Sequence, residues 1–328
     1  MQRSDSVNGL ELSIIIVNWN SVNYLRECLA SIYDTCRNAS FEVIVVDNAS
    51  PQRDIDELPG EFPEVILLKS LANLGFAGAN NLGFRHSSGE YVLFLNPDTR
   101  ILGSALQTML FRAKALQQAG IVGCKLLNTD GSIQTSCIQK FPTILNQALD
   151  IEFLQLRWPA LSLWGIAPLF ANKPVPAKVE VISGACMLMS REVFQGVGGF
   201  SEDYFMYAED LDLCHKVIQA GFANYYVGDA EVIHHGGKSS GQREVNQWAT
   251  QMKFRSILQF CEKTRGPLYY SLFRLSLAAV ALCRLILIAS AFPFGKAKKL
   301  KSVFSKWRAV LRIAIGLDNP VLKTTANS

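Results

Sequence analysis

Apolar residues come in short unbroken runs that stop on polar side chains. Leu12-Ser13-Ile14-Ile15-Ile16-Val17-Asn18, Glu42-Val43-Ile44-Val45-Val46-Asp47-Asn48 and Tyr91-Val92-Leu93-Phe94-Leu95-Asn96-Pro97-Asp98 share this form, with a shorter run at Val65 to Leu68. Continuous β-branched and aromatic runs of this length read as strands buried on both faces. Between the first two, Leu25, Cys28, Leu29 and Ile32 recur at spacings of three and four behind Asn20 and Ser21. That predicts a helix capped by Asn20 and Ser21. Strand–helix alternation of this kind implies an α/β fold with a mostly parallel central sheet and right-handed crossovers. In such sheets ligands gather at the carboxyl ends of the strands, where Asn18, Asp47 and Asp98 fall.

Further along, the pattern predicts a helix over 104–118 and strands at 121–127, 181–189 and 223–227. Residues 141 to 178 lose periodicity and are punctuated by Pro142, Trp158-Pro159, Trp164, Pro168, Pro174 and Pro176. They predict a surface loop or a flap over a second substrate.

Charge divides the chain. From Lys253 onward there are 14 Lys and Arg against Glu262 and Asp318, and the residues before it carry 18 basic and 26 acidic groups. The first part is an acidic globule, so nucleic acid is not an expected partner. Pro267 to Phe294 is strongly apolar but is split by Arg274 and Arg284, and a basic stretch from Lys296 follows. This reads as an element seated on an anionic membrane surface, with a tilted single span as the alternative. The expected division is 1–262 for the globule and 263–328 for a helical tail that associates with membrane. The eight cysteines form no C-x-x-C pair, and no export signal opens the chain. Both point to reduced thiols in a cytosol.

Candidate chemistry gathers in four places. Asp98, at a strand end, either holds a divalent cation against a phosphate or caps the helix starting near Gly103. Asn73-Leu74-Gly75-Phe76-Ala77-Gly78 offers close backbone approach for a diphosphate, without the dinucleotide fingerprint. Glu209, Asp210 and Asp212 share a helix N-terminus behind Phe205, Met206 and Tyr207, so one of them can serve as a general base. His234-His235 ends an apolar run before Gly236-Gly237 and is placed to be a ligand.

Taken in order, Ile16-Val17-Asn18-Trp19-Asn20, Val45-Val46-Asp47-Asn48-Ala49-Ser50, Asn73-Leu74-Gly75-Phe76, Asn96-Pro97-Asp98, Ser183-Gly184, Glu209-Asp210 and His234-His235-Gly236-Gly237 resemble the family-two inverting glycosyltransferases with the GT-A fold. The resemblance covers roughly residues 12 to 262. It looks strongest to rhamnosyltransferase-like members that build O-antigen and other bacterial surface polysaccharides. It implies transfer of a sugar such as L-rhamnose from a dTDP- or UDP-sugar, with inversion. The implied acceptor is a saccharide on a polyprenyl diphosphate, at the cytoplasmic face of the inner membrane. By the same resemblance Asp47 contacts the base, with Asn18 and Asn48 lining its pocket. Asn73, Gly75 and Asn81 shape the ribose-phosphate side, and Asn96 and Asp98 complete the donor site. Asp98 and His234 hold Mg²⁺ or Mn²⁺, and Asp210 is the base. Gly184, Glu209 and Trp164 are placed on the acceptor side. Two departures stand out: Asn96 replaces the first Asp of D-x-D, and Lys216 stands where relatives often have Arg. Competing readings are a catalytically degenerate membrane-docked scaffold and a subunit of a processive synthase, although Gln247-Trp248 lacks the Arg-Trp of the latter's motif.

Overall fold

The computed structural model describes residues 9–36, 39–150, 152–171, 176–236, 247–291 and 297–317. Its elements begin with β1 (Leu12–Asn18), α1 (Val22–Thr35), β2 (Phe41–Asp47), α2 (Leu58–Glu61), β3 (Val65–Lys69) and α3 (Gly75–Arg85). Then come β4 (Tyr91–Leu95), β5 (Thr99–Ile101), α4 (Ala105–Ala115), β6 (Ala119–Leu127), β7 (Ile138–Gln139), α5 (Ile144–Ala148) and α6 (Glu152–Arg157). The remainder is β8 (Ala177–Val179), β9 (Val181–Ile182), β10 (Cys186–Ser190), α7 (Arg191–Gly196), α8 (Glu209–Gln219), β11 (Ala223–His234), α9 (Gln247–Arg265), α10 (Pro267–Ala291) and α11 (Ala297–Ile315).

The central sheet runs β3-β2-β1-β4-β10-β6-β11-β5, with β8 paired to β11. The four amino-terminal strands are parallel, as their two-sided burial predicts. Ile14 to Ile16, Val43 to Val46 and Val92 to Phe94 are fully buried. The second half is mixed. Strand β10 enters antiparallel between β4 and β6, and β11 pairs parallel with β6 but antiparallel with β5 and β8. The sheet is therefore less parallel than the run pattern predicts, because a buried central strand reads alike in either direction.

Three local differences matter for the site. Residues 181–189 do not form one strand: β9 pairs with β7 in a small separate sheet, and the chain breaks at Ser183-Gly184-Ala185 before β10 begins. The expected 223–227 strand and the His234 run are one twelve-residue strand, β11, with a register shift between Val227 and Glu231. Ser21 precedes α1 but makes no side-chain cap; its hydroxyl donates to the Trp19 carbonyl at 2.9 Å.

The described residues fall into two compact units. One takes in Met1–Gln139, Gly165–Phe205 and Glu209–Ser239; the other takes in Lys140–Trp164, Met206–Ala208 and Ser240–Ser328. The division drawn on sequence after residue 262 thus differs from the contact units, which put α9 with α10 and α11. In that second unit Phe141 stacks on Phe260 at 5.7 Å, and the Tyr269 hydroxyl accepts from Ile144 N at 3.3 Å. The stretch expected as loop or flap contains α5 and α6, and Trp164 is buried within this unit. All eight cysteines are free; Cys283 is exposed and the others are buried.

Candidate active site

Strand β4 delivers Asn96 and Asp98 to the carboxyl edge of the sheet. Asp98 caps no helix: the chain turns into β5, and α4 starts behind Ser104. The Asp98 side chain is only 2% exposed, with Oδ1 3.3 Å from His234 Nε2 and Oδ2 buried without a hydrogen-bond partner. Orphaned buried oxygens are rare and call for an explanation.

His234 supplies one. Its own carbonyl can only accept, so it must receive an N–H from Gln134, whose Nε2 lies 2.5 Å away. That fixes the Gln134 amide with Oε1 3.0 Å from His234 Nδ1. Nδ1 therefore carries the proton in the neutral ring and Nε2 presents its lone pair. Asn96 Nδ2 lies 3.3 Å from that lone pair. A carboxylate oxygen and an imidazole nitrogen facing one another as acceptors fit a divalent cation between them. No group of three or more His, Cys, Asp or Glu suited to a metal occurs among the described residues. Two protein ligands plus substrate phosphates is how a Mg²⁺ site is commonly completed.

His235 turns the other way. Its Nε2 lies 3.4 Å from Glu27 Oε2, Thr129 Oγ1 is 3.2 Å from Nδ1, and the ring packs on Tyr24. Gly237, Lys238 and Ser239 lie outside the described residues.

At the carboxyl ends of β1 and β2 the hydrogen bonds converge on Asp47. Asn18 Nδ2 and Ser50 Oγ both donate to Asp47 Oδ1, at 3.0 and 2.5 Å, and Ser50 N donates to Oδ2. Asn18 is thus an orienting residue for Asp47. Asn48 is spent inside the protein: Nδ2 donates to Asn73 Oδ1 and the Gly75 carbonyl, and Oδ1 accepts from Leu74 N. Asn73 Oδ1 also accepts from Gly75 N at 2.9 Å. The close approach expected of Gly75 toward a diphosphate is made instead to Phe205. Gly75 has φ +71°, a Cβ there would sit 2.4 Å from the Phe205 carbonyl oxygen, and that oxygen accepts from Phe76 N. Asn81 is similarly committed, to both backbone groups of Phe200 and to Glu202 Oε1. Asn48, Asn73 and Asn81 therefore brace loops at the mouth.

The three carboxylates opening α8 separate by environment. Asp212 accepts from Ser201 Oγ and Tyr204 Oη, and lies 3.6 Å from Lys216 Nζ. Lys216 also donates to the Gly199 carbonyl and Ser201, so a spreading ammonium suffices where a fork is absent. Glu209 is buried with Oε2 unpartnered; burial, then the neighbouring Asp210 charge, pushes its carboxyl up to about 8. It is neutral at pH 7. Asp210 Oδ2 accepts from Gly184 N at 3.1 Å, at the break between β9 and β10. One residue on, the Ala185 carbonyl accepts from Asn96 N at 3.0 Å. Asp210 is thereby tied through Gly184-Ala185 to Asn96, and so to the Asp98–His234 pair.

Among the described residues, five non-glycine positions have positive φ, and two of them, Asn20 and Ala49, lie just past the carboxyl ends of β1 and β2. Backbone strain of this kind collects where a fold over-determines a ligand site. Gln134, which holds His234, is the residue of this arrangement that the sequence does not mark. It lies 100 residues from His234, just past the Asp130-Gly131 turn, and no spacing marks it.

Comparison with known proteins gives the family and the fold. The Glycosyl transferase family 2 profile matches residues 13–198. The N-acetylglucosaminyl-diphospho-decaprenol L-rhamnosyltransferase of Mycobacterium tuberculosis is 29% identical over 307 residues, covering 89% of this chain and 97% of that protein. Rhamnosyltransferase WbbL of Escherichia coli is 24% identical over 267 residues, covering 74% and 91%. Among solved structures, the mannosyltransferase PcManGT from Pyrobaculum calidifontis, in complex with GDP-Man and Mn²⁺, superposes with TM-score 0.58 at 17% identity, covering 94% of this chain and 86% of that one. GalNAc-T7 with UDP, GalNAc and Mn²⁺ gives 0.59 at 14% identity; the match covers 96% of this chain and 59% of that one.

Proposed function

The chain belongs to glycosyl transferase family 2 and is an inverting glycosyltransferase of the GT-A fold; from that premise we propose that it moves L-rhamnose from a dTDP- or UDP-linked donor to a saccharide on a polyprenyl diphosphate. The observation that carries the reading is the Asp98–His234 pair, linked by Asn96, Ala185 and Gly184 to Asp210. The decaprenol-linked acceptor named for the mycobacterial relative, together with the apolar helix Pro267–Ser290, supports a lipid-linked acceptor met at a membrane.

The Asp98 carboxylate and His234 Nε2 would hold Mg²⁺ or Mn²⁺, which when bound would neutralise the departing diphosphate. Asp47, oriented by Asn18 and Ser50, recognises the pyrimidine edge. Asp210, aimed by Gly184 N, takes the proton of the acceptor hydroxyl as that oxygen attacks the anomeric carbon from the face opposite the diphosphate. One displacement inverts the centre, through a transition state of oxocarbenium character. Burial of Glu209 in its neutral form keeps a second negative charge away from Asp210. Gly184 leaves room beside that base: a Cβ there would lie 3.5 Å from Asp210 Cβ and 3.6 Å from the Phe76 ring.

The test is a screen of nucleotide sugars for thermal stabilisation with and without Mn²⁺, followed by transfer of labelled sugar to a polyprenyl-diphosphate N-acetylglucosamine. A dTDP- or UDP-sugar should raise the melting midpoint, because a ligand bound only to the folded state stabilises it. Donor binding without any transfer or hydrolysis would favour the non-catalytic scaffold.

A further inference from the structure

Helix α10 is long and apolar enough to cross a membrane by length and composition. On sequence, its two arginines interrupt that character. The structure shows where they go. Arg274 Nε donates to the Ala314 carbonyl of α11 at 2.8 Å, and its guanidinium lies over the Tyr270 ring. Arg284 stacks on Trp307 of α11 at 4.2 Å, and its Nη2 donates to the carbonyls of Ala148 and Asp150. Both charges are thus consumed within the helical unit.

At about 100° per residue, Leu268, Leu272, Leu275, Ala279, Leu282 and Ile286 fall within roughly 80° of arc. All six are exposed. Arg274 and Arg284 lie on the other side of the helix, as do the buried Phe273, Leu277, Ala281 and Leu285. The helix therefore carries two apolar stripes, one packed on its own protein and one facing out, with no charge in the outer stripe over about 27 Å.

A spanning helix needs lipid or apolar protein all round it. This one has α9 and α11 packed along it. Those helices expose Lys253, Lys263, Arg265, Lys301, Arg308 and Arg312. A crossing would carry such charges toward the hydrocarbon. The same charges complement an anionic leaflet when the helices lie on it. We propose that α10 lies in the plane of an anionic bilayer, its Leu268-to-Ile286 stripe sunk among the acyl chains, and does not cross it. The proposal rests on the membrane reading above and fixes the peripheral form of it.

The experiment uses the full chain in two steps. Flotation with vesicles of phosphatidylglycerol and phosphatidylcholine should recover the protein at low salt, with at least tenfold less on pure phosphatidylcholine. Leu272→Glu with Leu282→Glu should cut flotation at least tenfold while leaving nucleotide-sugar thermal shifts in place, which shows the variant folded. Then, in a Cys283→Ser background, a fluorophore is placed by Leu268→Cys, Ala279→Cys or Ser290→Cys and quenched by lipids bearing nitroxides at shallow or deep chain positions. An in-plane helix gives the same shallow-to-deep ratio at all three sites within twofold. A deep position 279 between shallow ends would overturn the in-plane geometry alone. Failure to float on anionic vesicles, or a double variant that floats normally, would overturn the membrane reading with it.

Discussion

Gln134 holds His234 from two directions, donating to its carbonyl at 2.5 Å and accepting from its Nδ1 at 3.0 Å. The pair fixes both the ring's plane and, in the neutral ring, its tautomer, which leaves Nε2 as the nitrogen that meets Asp98. Outer partners of this kind are worth about ten- to a hundredfold in metal affinity. Gln134→Leu should weaken Mn²⁺ binding, read by paramagnetic resonance of free Mn²⁺, by that factor, with little change in melting midpoint. Undiminished affinity would make the Gln134 contact structural.

Asn96 stands 3.3 Å from the same nitrogen and brings no charge. Asn96→Asp adds a carboxylate beside Asp98. Mn²⁺ affinity measured without donor should rise about tenfold or more, since ligand charge count tunes affinity for hard cations. Asp98→Asn should abolish it. An Asn96→Asp protein that binds Mn²⁺ no better would place Asn96 outside the ion's reach.

For Asp210, replacement by Asn keeps shape and an oxygen to accept from Gly184 N. Turnover should drop by about a hundredfold or more, the scale of general-base catalysis. Donor binding should hold within about twofold, measured by the same thermal shift as in the wild type. Equal losses in donor affinity and turnover would argue for a binding role.

Glu209 makes a prediction about pH. In the unfolded chain its proton leaves near 4.5, whereas the folded protein keeps it to about 8. Between those values the folded state binds more protons, so this group's contribution lowers stability as pH rises through the window. Glu209→Gln removes the penalty. The variant should match the wild type near pH 4.5 and melt progressively higher than it toward pH 8.5. A difference independent of pH would mean the carboxyl ionises normally.

The strands that end in Asn18, Asp47 and Asn96-Pro97-Asp98 were legible because two-sided burial leaves an unbroken apolar run. His234 was legible because its run ends where β11 ends. Other features depend on partners far along the chain. Val181 to Met189 reads as a single strand, and only Asp210 reaching Gly184 N reveals why it breaks. Asn48, Asn73 and Asn81 look like ligand-facing amides, yet Asn48 donates to Asn73 and the Gly75 carbonyl, Asn73 Oδ1 accepts from Asn48 and Gly75 N, and Asn81 donates to Phe200 and Glu202. Arg274 and Arg284 look like breaks in an apolar helix until their carbonyl and indole partners are seen.

The interruption at Ser183-Gly184-Ala185 has a thermodynamic corollary. Its amide grips the carboxylate that would activate the acceptor, and its carbonyl grips the strand end that would cradle the donor's phosphates. A three-residue strut shared by two subsites makes their occupancies interdependent. Whatever factor an acceptor analogue applies to donor affinity, the donor must return to the analogue. Titrating each in the presence of the other measures that factor, and a value of one in both directions would show the strut to be rigid.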